Sequence, residues 1–120
     1  MNKLFRKIIH FMRLIGRLVT SVPFITLSLF GNGVVFFFAT VLYYLERDVN
    51  PKMGHYIDAL WWSFSTTSTV GYGDIVPVTI FGKIIGIFLM LIGVGIFAIY
   101  TALFARCILD DKHYMDYDEF

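Results

Sequence analysis

The stretch TTSTVGYGDIVP, residues 66 to 77, carries two glycines, Gly71 and Gly73, with a single residue between them. Glycine adopts left-handed backbone dihedrals at little cost, whereas other L-residues adopt right-handed ones. Alternation of the two conformations turns successive carbonyl oxygens toward the same side of the chain. The stretch therefore predicts an extended backbone that presents a row of carbonyl oxygens, so the backbone rather than any side chain carries the chemistry.

The chain around this stretch has the composition of a membrane protein. It is 58% hydrophobic and only 16% charged, whereas soluble domains have about 25% charged residues. Uncharged blocks of 28 and 22 residues lie between Arg17 and Glu46 and between Lys83 and Arg106, and about 20 residues suffice to cross a bilayer. The alternative, an unusually apolar soluble helical domain, is disfavoured because the apolar residues fall in unbroken blocks.

The region from Ala59 to Gly73 is also uncharged, but its 15 residues are too few to span. Non-helical backbone at membrane depth is tolerated only inside protein or along a water-filled cavity. We therefore expect an all-α membrane protein in which two transmembrane helices flank a re-entrant segment.

Charge predicts the orientation of the chain. Residues 1 to 17 contain no acid and five bases, Lys3, Arg6, Lys7, Arg13 and Arg17. The positive-inside rule places such a segment in the cytoplasm, and two spans return the C-terminus to the same side. The localisation expected is a multi-pass protein of the cell membrane with both termini cytoplasmic.

The same five bases recur at helical spacing opposite an apolar face. This pattern predicts an amphipathic helix over residues 1–22 that lies in the membrane interface and contacts anionic lipids. A cleaved signal peptide is the alternative. It is disfavoured because the charges continue to Arg17 and no small-residue cleavage site precedes Pro23.

The segment Thr69-Val70-Gly71-Tyr72-Gly73, followed by Asp74, resembles the selectivity filter of potassium channels. ALWWS at 59–63 is similar to the pore helix of bacterial potassium channels, and GDIVPVTIFGK at 73–83 to their outer mouth. LIGVG at 91–95 falls where that family has an inner-helix glycine hinge. The resemblance covers about residues 56–105. It implies a two-transmembrane-helix pore domain at 23–109, with an outer helix at 23–45, a pore helix at 56–67, a filter at 69–73 and an inner helix at 79–107. An acidic cytoplasmic tail would follow at 110–120.

The resemblance also implies roles for individual residues. The filter residues Thr69, Val70, Gly71, Tyr72 and Gly73 would hold potassium ions through backbone carbonyls. Trp62 would brace Tyr72, the Trp61 indole would donate to Asp74, and Ser65 stands where several bacterial channels have a glutamate. Interfacial belt aromatics are the alternative for the two tryptophans.

Further roles fall on the inner helix. Val94, Phe97 and Thr101 would line a cavity below the filter. Ala102, Ala105 and Leu109 would form a hydrophobic gate, with plain helix packing as the alternative. Gly93, with Gly95, would provide a bend, which is favoured only slightly over close packing.

One filter copy per chain implies that four chains surround one pore, because a potassium ion needs about eight oxygens from two adjacent layers. The predicted function is a homotetrameric potassium-selective channel, neither an enzyme nor a nucleic-acid-binding protein, with potassium ions as the permeant species. Two alternatives remain: a non-selective cation channel, which the filter tyrosine disfavours, and a non-conducting membrane subunit that binds partners. The three histidines and the single Cys107 have no metal-ligand spacing.

Overall fold

The computed structural model describes residues 2–118, with side chains described through Lys112. All regular elements in that range are helical: α1 (Lys3–Val19), α2 (Val22–Glu46), a short 3-10 turn (Pro51–Met53), α3 (Tyr56–Thr67) and α4 (Ile80–Asp118). Of these, α2 and α4 are each long and apolar enough to cross a bilayer. The prediction of an all-α fold with two membrane-spanning helices is confirmed.

The boundary between α1 and α2 follows from local capping. The side chain of Asn2 accepts a hydrogen bond from the Leu4 amide at 3.3 Å and so starts α1. The break falls at Thr20 and Ser21, and Pro23 is the second residue of α2. Proline is tolerated there because the first helical amides have no intrahelical acceptor. Pro23 thus lies just inside the new helix.

Helix α4 is longer than predicted. The inner helix was expected to end near residue 107, with an acidic tail at 110–120, whereas α4 continues to Asp118. The reason is that no glycine or proline follows Gly95, so nothing in the sequence terminates the helix. The change to charged residues at Arg106 and Asp110 therefore does not end the helix. Of the predicted tail, Glu119 and Phe120 lie outside the described residues.

The chain divides into two compact units, one comprising Leu29–Ala98 and the other Met1–Ser28 with Ile99–Phe120. The unit Leu29–Ala98 holds α3 against α2 and α4. Its core joins side chains from all three helices and the 3-10 turn, namely Leu42, Met53, Ala59, Trp62 and Leu89.

Small residues allow the helices of this unit to approach closely, as is common where lipid removes the hydrophobic drive between helices. A methyl group at Gly86 would lie 3.1 Å from the Trp62 ring, and one at Gly31 would lie 3.4 Å from Ile96. In the other unit the contacts are aromatic. Phe24 of α2 meets Tyr100 of α4 edge-on at 5.3 Å, and the Tyr100 hydroxyl lies 2.7 Å from the Ser28 hydroxyl.

Candidate functional site

The segment from Thr69 to Gly73 has an alternating backbone. Gly71 and Gly73 have φ angles of +61° and +76°, which are the left-handed values expected from the sequence. Thr69 shares this conformation at φ +65°, although a β-branched residue is strained there. Three left-handed residues at positions 69, 71 and 73 thus alternate with Val70 and Tyr72. The side chains of Val70 and Tyr72 are 57% and 67% exposed in the isolated chain.

The C-terminus of α3 holds this segment in place. The Ser65 carbonyl accepts from the Gly71 amide at 3.1 Å, and the Thr66 carbonyl accepts from the Thr69 amide at 3.1 Å. The Ser65 hydroxyl additionally accepts from the Tyr72 amide at 3.1 Å. These bonds satisfy carbonyls and amides that a helix end and an extended strand would otherwise leave unpaired. The sequence analysis noted Ser65 only because it replaces an acid. In the structure its carbonyl and its hydroxyl both accept hydrogen bonds from backbone amides of the segment.

Trp61 supports the outer part of the same segment. Its indole Nε1 donates to Asp74 Oδ2 at 3.0 Å, so the hydrogen bond expected from the sequence is present. The Trp61 ring also stacks on Tyr72, with centroids 5.4 Å apart and planes 13° apart. Within one chain Tyr72 thus stacks on Trp61, and the bracing of Tyr72 by Trp62 in an assembly stays a prediction. Adjacent helical residues point about 100° apart, and Trp62 is instead buried against α4 at Gly86.

An open cleft of about 230 Å³ lies behind the segment. Its lining residues are Trp61, Phe64, Ser65, Ser68, Val70 and Tyr72. Neither an acid nor a base is among them. The cleft is therefore polar only through serine hydroxyls, the tyrosine hydroxyl, the indole and backbone, as the serine at position 65 predicts.

The loop that leaves the segment is fastened by Glu46, a residue that the sequence analysis did not single out. Glu46 is fully buried at the end of α2. Its Oε2 accepts from the Val78 amide at 2.8 Å and from Asn50 Nδ2 at 3.0 Å. Its Oε1 accepts from the Thr79 amide at 2.9 Å and from the Thr79 hydroxyl.

Asn50 extends this network, because its Nδ2 also donates to the Val76 carbonyl at 2.9 Å. One carboxylate thus ties the end of α2 to residues 76–79. The sequence feature that could have drawn attention to Glu46 is its position as the first charged residue after a 28-residue uncharged block. A buried acid, however, needs four donors that only the fold assembles.

The predicted cavity and hinge residues lie on α4. Val94 and Phe97 are half exposed in the unit Leu29–Ala98. Gly93 is buried, and a methyl group there would lie 2.8 Å from Cα and 3.0 Å from the carbonyl oxygen of Thr67. The structure thus supports close packing as the role of Gly93, because α4 approaches the end of α3 at this glycine. A methyl group at Gly95 would meet nothing within 4 Å.

The remaining predicted residues lie in the other unit, Met1–Ser28 with Ile99–Phe120. The third predicted cavity residue, Thr101, and the three predicted gate residues are exposed on α4 of the isolated chain, and the gate residues are Ala102, Ala105 and Leu109. The predicted lipid-contacting bases are exposed on α1, and these are Lys3, Arg6, Lys7, Arg13 and Arg17.

The unit Met1–Ser28 with Ile99–Phe120 also contains a pair that the sequence did not indicate. His10 Nε2 lies 2.8 Å from Asp111 Oδ2, which joins α1 to α4.

Among the residues whose side chains are described, no cluster of three or more histidine, cysteine or acidic side chains could hold a metal ion. Backbone carbonyl oxygens are the other protein ligands that suit an alkali cation, as in the filters of potassium channels. The alternating segment at residues 69–73 has a backbone that can present several of them in sequence.

Comparison with known proteins identifies the family. A family described as Ion channel matches residues 31–110, which is most of the chain and includes α3, the alternating segment and the greater part of both apolar helices.

Individual proteins of similar sequence are also ion channels by name. A cyclic nucleotide-gated potassium channel of Rhizobium etli is 37% identical over 87 residues, covering 71% of this chain and 24% of that protein. A voltage-gated potassium channel of Aeropyrum pernix is 47% identical over 62 residues, or 51% of this chain and 21% of the relative. A human potassium voltage-gated channel, KQT member 4, is 35% identical over 89 residues, or 72% of this chain and 13% of the relative.

The chain thus spans about a quarter or less of the length of these relatives. The match is to a family of channels rather than of enzymes, as predicted. Because the family match covers residues 31–110, with most of α2, all of α3 and most of α4, the chain belongs to the ion channel family.

Proposed function

We propose that four copies of this chain form a potassium-selective pore, in which residues 69–73 of each copy provide the selectivity filter and potassium ions are the transported substrate. The observation that carries the proposal is the alternation of left-handed residues at Thr69, Gly71 and Gly73. Such a backbone supplies carbonyl oxygens that replace the hydration shell of an ion. The three relatives compared above are all potassium channels by name, which supports the same transported ion.

The tetramer is inferred from stoichiometry. Each chain has one filter segment, and a ring of four segments is the arrangement known for filters of this kind. The isolated chain leaves large apolar side chains of α4 exposed, including Phe97 at 49% and Val94 at 58%. In a closed four-fold ring such residues face a neighbouring copy or the pore. We assign Val94, Phe97 and Thr101 to the cavity, and Ala102, Ala105 and Leu109 to the inner constriction.

We further propose that both termini face the cytoplasm of a cell membrane and that α1 lies on anionic lipid. The bases of α1 lie beside exposed apolar residues of the same helix, among them Leu4 at 63% and Phe11 at 53%. A helix of this kind sits in the plane of the interface, with its apolar side in the acyl boundary. The positive-inside rule gives the orientation.

Reversal potentials in planar bilayers test the transport proposal directly. With potassium on one side and sodium on the other, we expect a reversal potential close to that of potassium. Equal permeation of both ions supports the non-selective alternative. A complete lack of current, from protein that is folded and inserted, supports the non-conducting subunit.

Two alanine variants provide a matched comparison. Gly73→Ala places a side chain at φ +76° and should abolish selective current, because the left-handed conformation is strained for alanine. Gly95→Ala makes the same chemical change on a helix where nothing lies within 4 Å and should conduct normally. Equal loss of current in both variants would contradict the assignment of the filter.

A further inference from the structure

Within the unit Met1–Ser28 with Ile99–Phe120, α4 contacts α1 and α2 along one of its faces. Four residues that make these contacts, spaced three or four apart, are Tyr100, Phe104, Cys107 and Asp111. The first two meet the Phe24 ring of α2, with centroids 5.3 and 6.2 Å away. The other two meet α1, at the Leu14 carbonyl and at the His10 ring. Because residues three and four apart lie on the same side of a helix, the four residues form one stripe, the packed face of α4.

The residues that we assign to the inner constriction lie on the opposite side of α4. Successive residues turn by about 100° around a helix, so the constriction residues are centred about 160° away from the packed face. They are exposed in the isolated chain, and they are Ala102, Ala105 and Leu109. The same stretch of helix thus carries its contacts with α1 and α2 on one side and the constriction on the other. Any rotation or sideways shift of α4 against α2 therefore displaces the constriction residues.

One hydrogen bond on the packed face specifies how α4 sits against α2. The Tyr100 hydroxyl lies 2.7 Å from the Ser28 hydroxyl, and both residues are half-buried. Ring contacts such as that of Phe24 with Phe104 tolerate small sliding movements, whereas a hydrogen bond weakens steeply when its distance or angle changes. A serine hydroxyl that loses its partner can bond to a carbonyl of its own helix, but the tyrosine hydroxyl is too far from its own backbone to do so. The bond therefore favours the one setting of α4 in which the two hydroxyls meet.

We propose that Ser28 and Tyr100 are positioning residues for the inner constriction, and that their hydrogen bond controls the ratio of open to closed pores. This inference rests on the proposed function, because only a conducting pore has a constriction to position. The two residues act through the setting of α4 rather than on the ion. Loss of the bond should therefore change the open-to-closed ratio. It should leave the single-channel conductance and the potassium selectivity unchanged, since we assign selectivity to residues 69–73.

Single-channel recording of the full chain in planar bilayers measures the open-to-closed ratio. Tyr100→Phe removes the hydroxyl and keeps the ring that meets Phe24. It should change the ratio about fivefold, which corresponds to about 1 kcal/mol at 1.36 kcal/mol per tenfold. Ser28→Ala should act in the same direction, whereas Ser28→Thr keeps a hydroxyl and should retain the native ratio. Tyr44→Phe makes the same chemical change at a residue that is 62% exposed, and this control should leave the ratio unchanged.

A double-mutant cycle tests whether the two hydroxyls act as a pair. The double variant Ser28→Ala with Tyr100→Phe should have the same open-to-closed ratio as either single variant, because the second change removes no further bond. The same cycle in denaturant unfolding, followed by circular dichroism in detergent micelles, measures the pairing without any current. There too the effects of the two changes should be less than additive.

Three results would overturn the positioning role. Additive effects in the unfolding cycle would mean that the hydroxyls are not paired in the protein. Paired hydroxyls with an unchanged open-to-closed ratio would mean that the bond stabilises the fold without positioning the constriction. A changed reversal potential in Tyr100→Phe would place the effect at the selectivity filter. Absence of current from the native protein contradicts the proposed function itself, and it is observed before any variant is compared.

Discussion

Replacement of Glu46 should weaken the fold far more than its position at a helix end suggests. Its carboxylate is fully buried and accepts hydrogen bonds from Asn50, Val78 and Thr79. In Glu46→Gln one oxygen becomes an NH₂ group that faces donors. If the remaining oxygen serves Thr79, the Val78 amide at 2.8 Å loses its acceptor.

The size of the effect follows from these contacts. A hydrogen bond to a charged group contributes about 1.5–3 kcal/mol, and a buried donor left without a partner costs about 1–3 kcal/mol. Asn50 cannot compensate by turning its amide, because its oxygen accepts from the Lys52 amide and its nitrogen donates to the Val76 carbonyl. We therefore expect Glu46→Gln to lower the free energy of unfolding by about 2–4 kcal/mol.

Denaturant unfolding in detergent micelles at one fixed protein concentration measures this change. Trp61 and Trp62 are on α3, so their fluorescence reports the region that the network supports. The matched control is Asp48→Asn, which removes a carboxylate that is 86% exposed and should change stability by less than about 0.5 kcal/mol. If Glu46→Gln is as stable as this control, the buried carboxylate does not fasten the loop and the reasoning fails.

Three further predictions concern the helices and the outer mouth. Gly93→Ala should destabilise the protein by about 1–3 kcal/mol in the same unfolding assay, because the new methyl group would lie 2.8 Å from Thr67. Gly95→Ala is the control and should be neutral or stabilising. Equal effects of the two changes would mean that α4 does not approach α3 at Gly93. External tetraethylammonium should block potassium current weakly, and Val76→Tyr should strengthen the block, since each aromatic face attracts the cation by about 0.5–2 kcal/mol; an unchanged inhibition constant would contradict the placement of Val76 at the mouth. The quadruple variant Arg6→Gln, Lys7→Gln, Arg13→Gln and Arg17→Gln loses about 1 kcal/mol of lipid attraction per base, so the dependence of its potassium current on phosphatidylglycerol in the bilayer should weaken; a dependence equal to that of the native protein counts against the lipid contact.

The helices could be predicted because their signals are local. An uncharged block of 28 residues already indicates a span, and the short segment between the two spans is α3 in the structure. The left-handed glycines at 71 and 73 were predictable because no other residue adopts that conformation cheaply. Thr69 was not, since its φ of +65° is imposed by the bonds from α3 rather than by its own preference.

The tertiary contacts were less accessible to sequence reasoning. The choice between Trp61 and Trp62 as the partner of Tyr72 depends on the rotation of α3 about its axis, which packing against α4 determines. The role of Gly93 depends on what lies opposite the glycine, and Thr67 is 26 residues earlier in the chain. Glu46 and His10 find their partners at Thr79 and Asp111. The periodic patterns of a sequence predict local structure, and they do not predict contacts between residues so far apart in the chain.

The buried carboxylate of Glu46 also constrains the order in which the chain can be built. Its donors at Val78 and Thr79 are 32 and 33 residues later in the sequence. When α2 first enters the bilayer, these partners have not yet been synthesised, and an unpaired carboxylate is strongly disfavoured in hydrocarbon. Glu46 must therefore stay hydrated at the membrane surface until α3 and the following loop have folded back. We therefore expect the contacts of Glu46 with residues 78–79 to form late in folding, after α3.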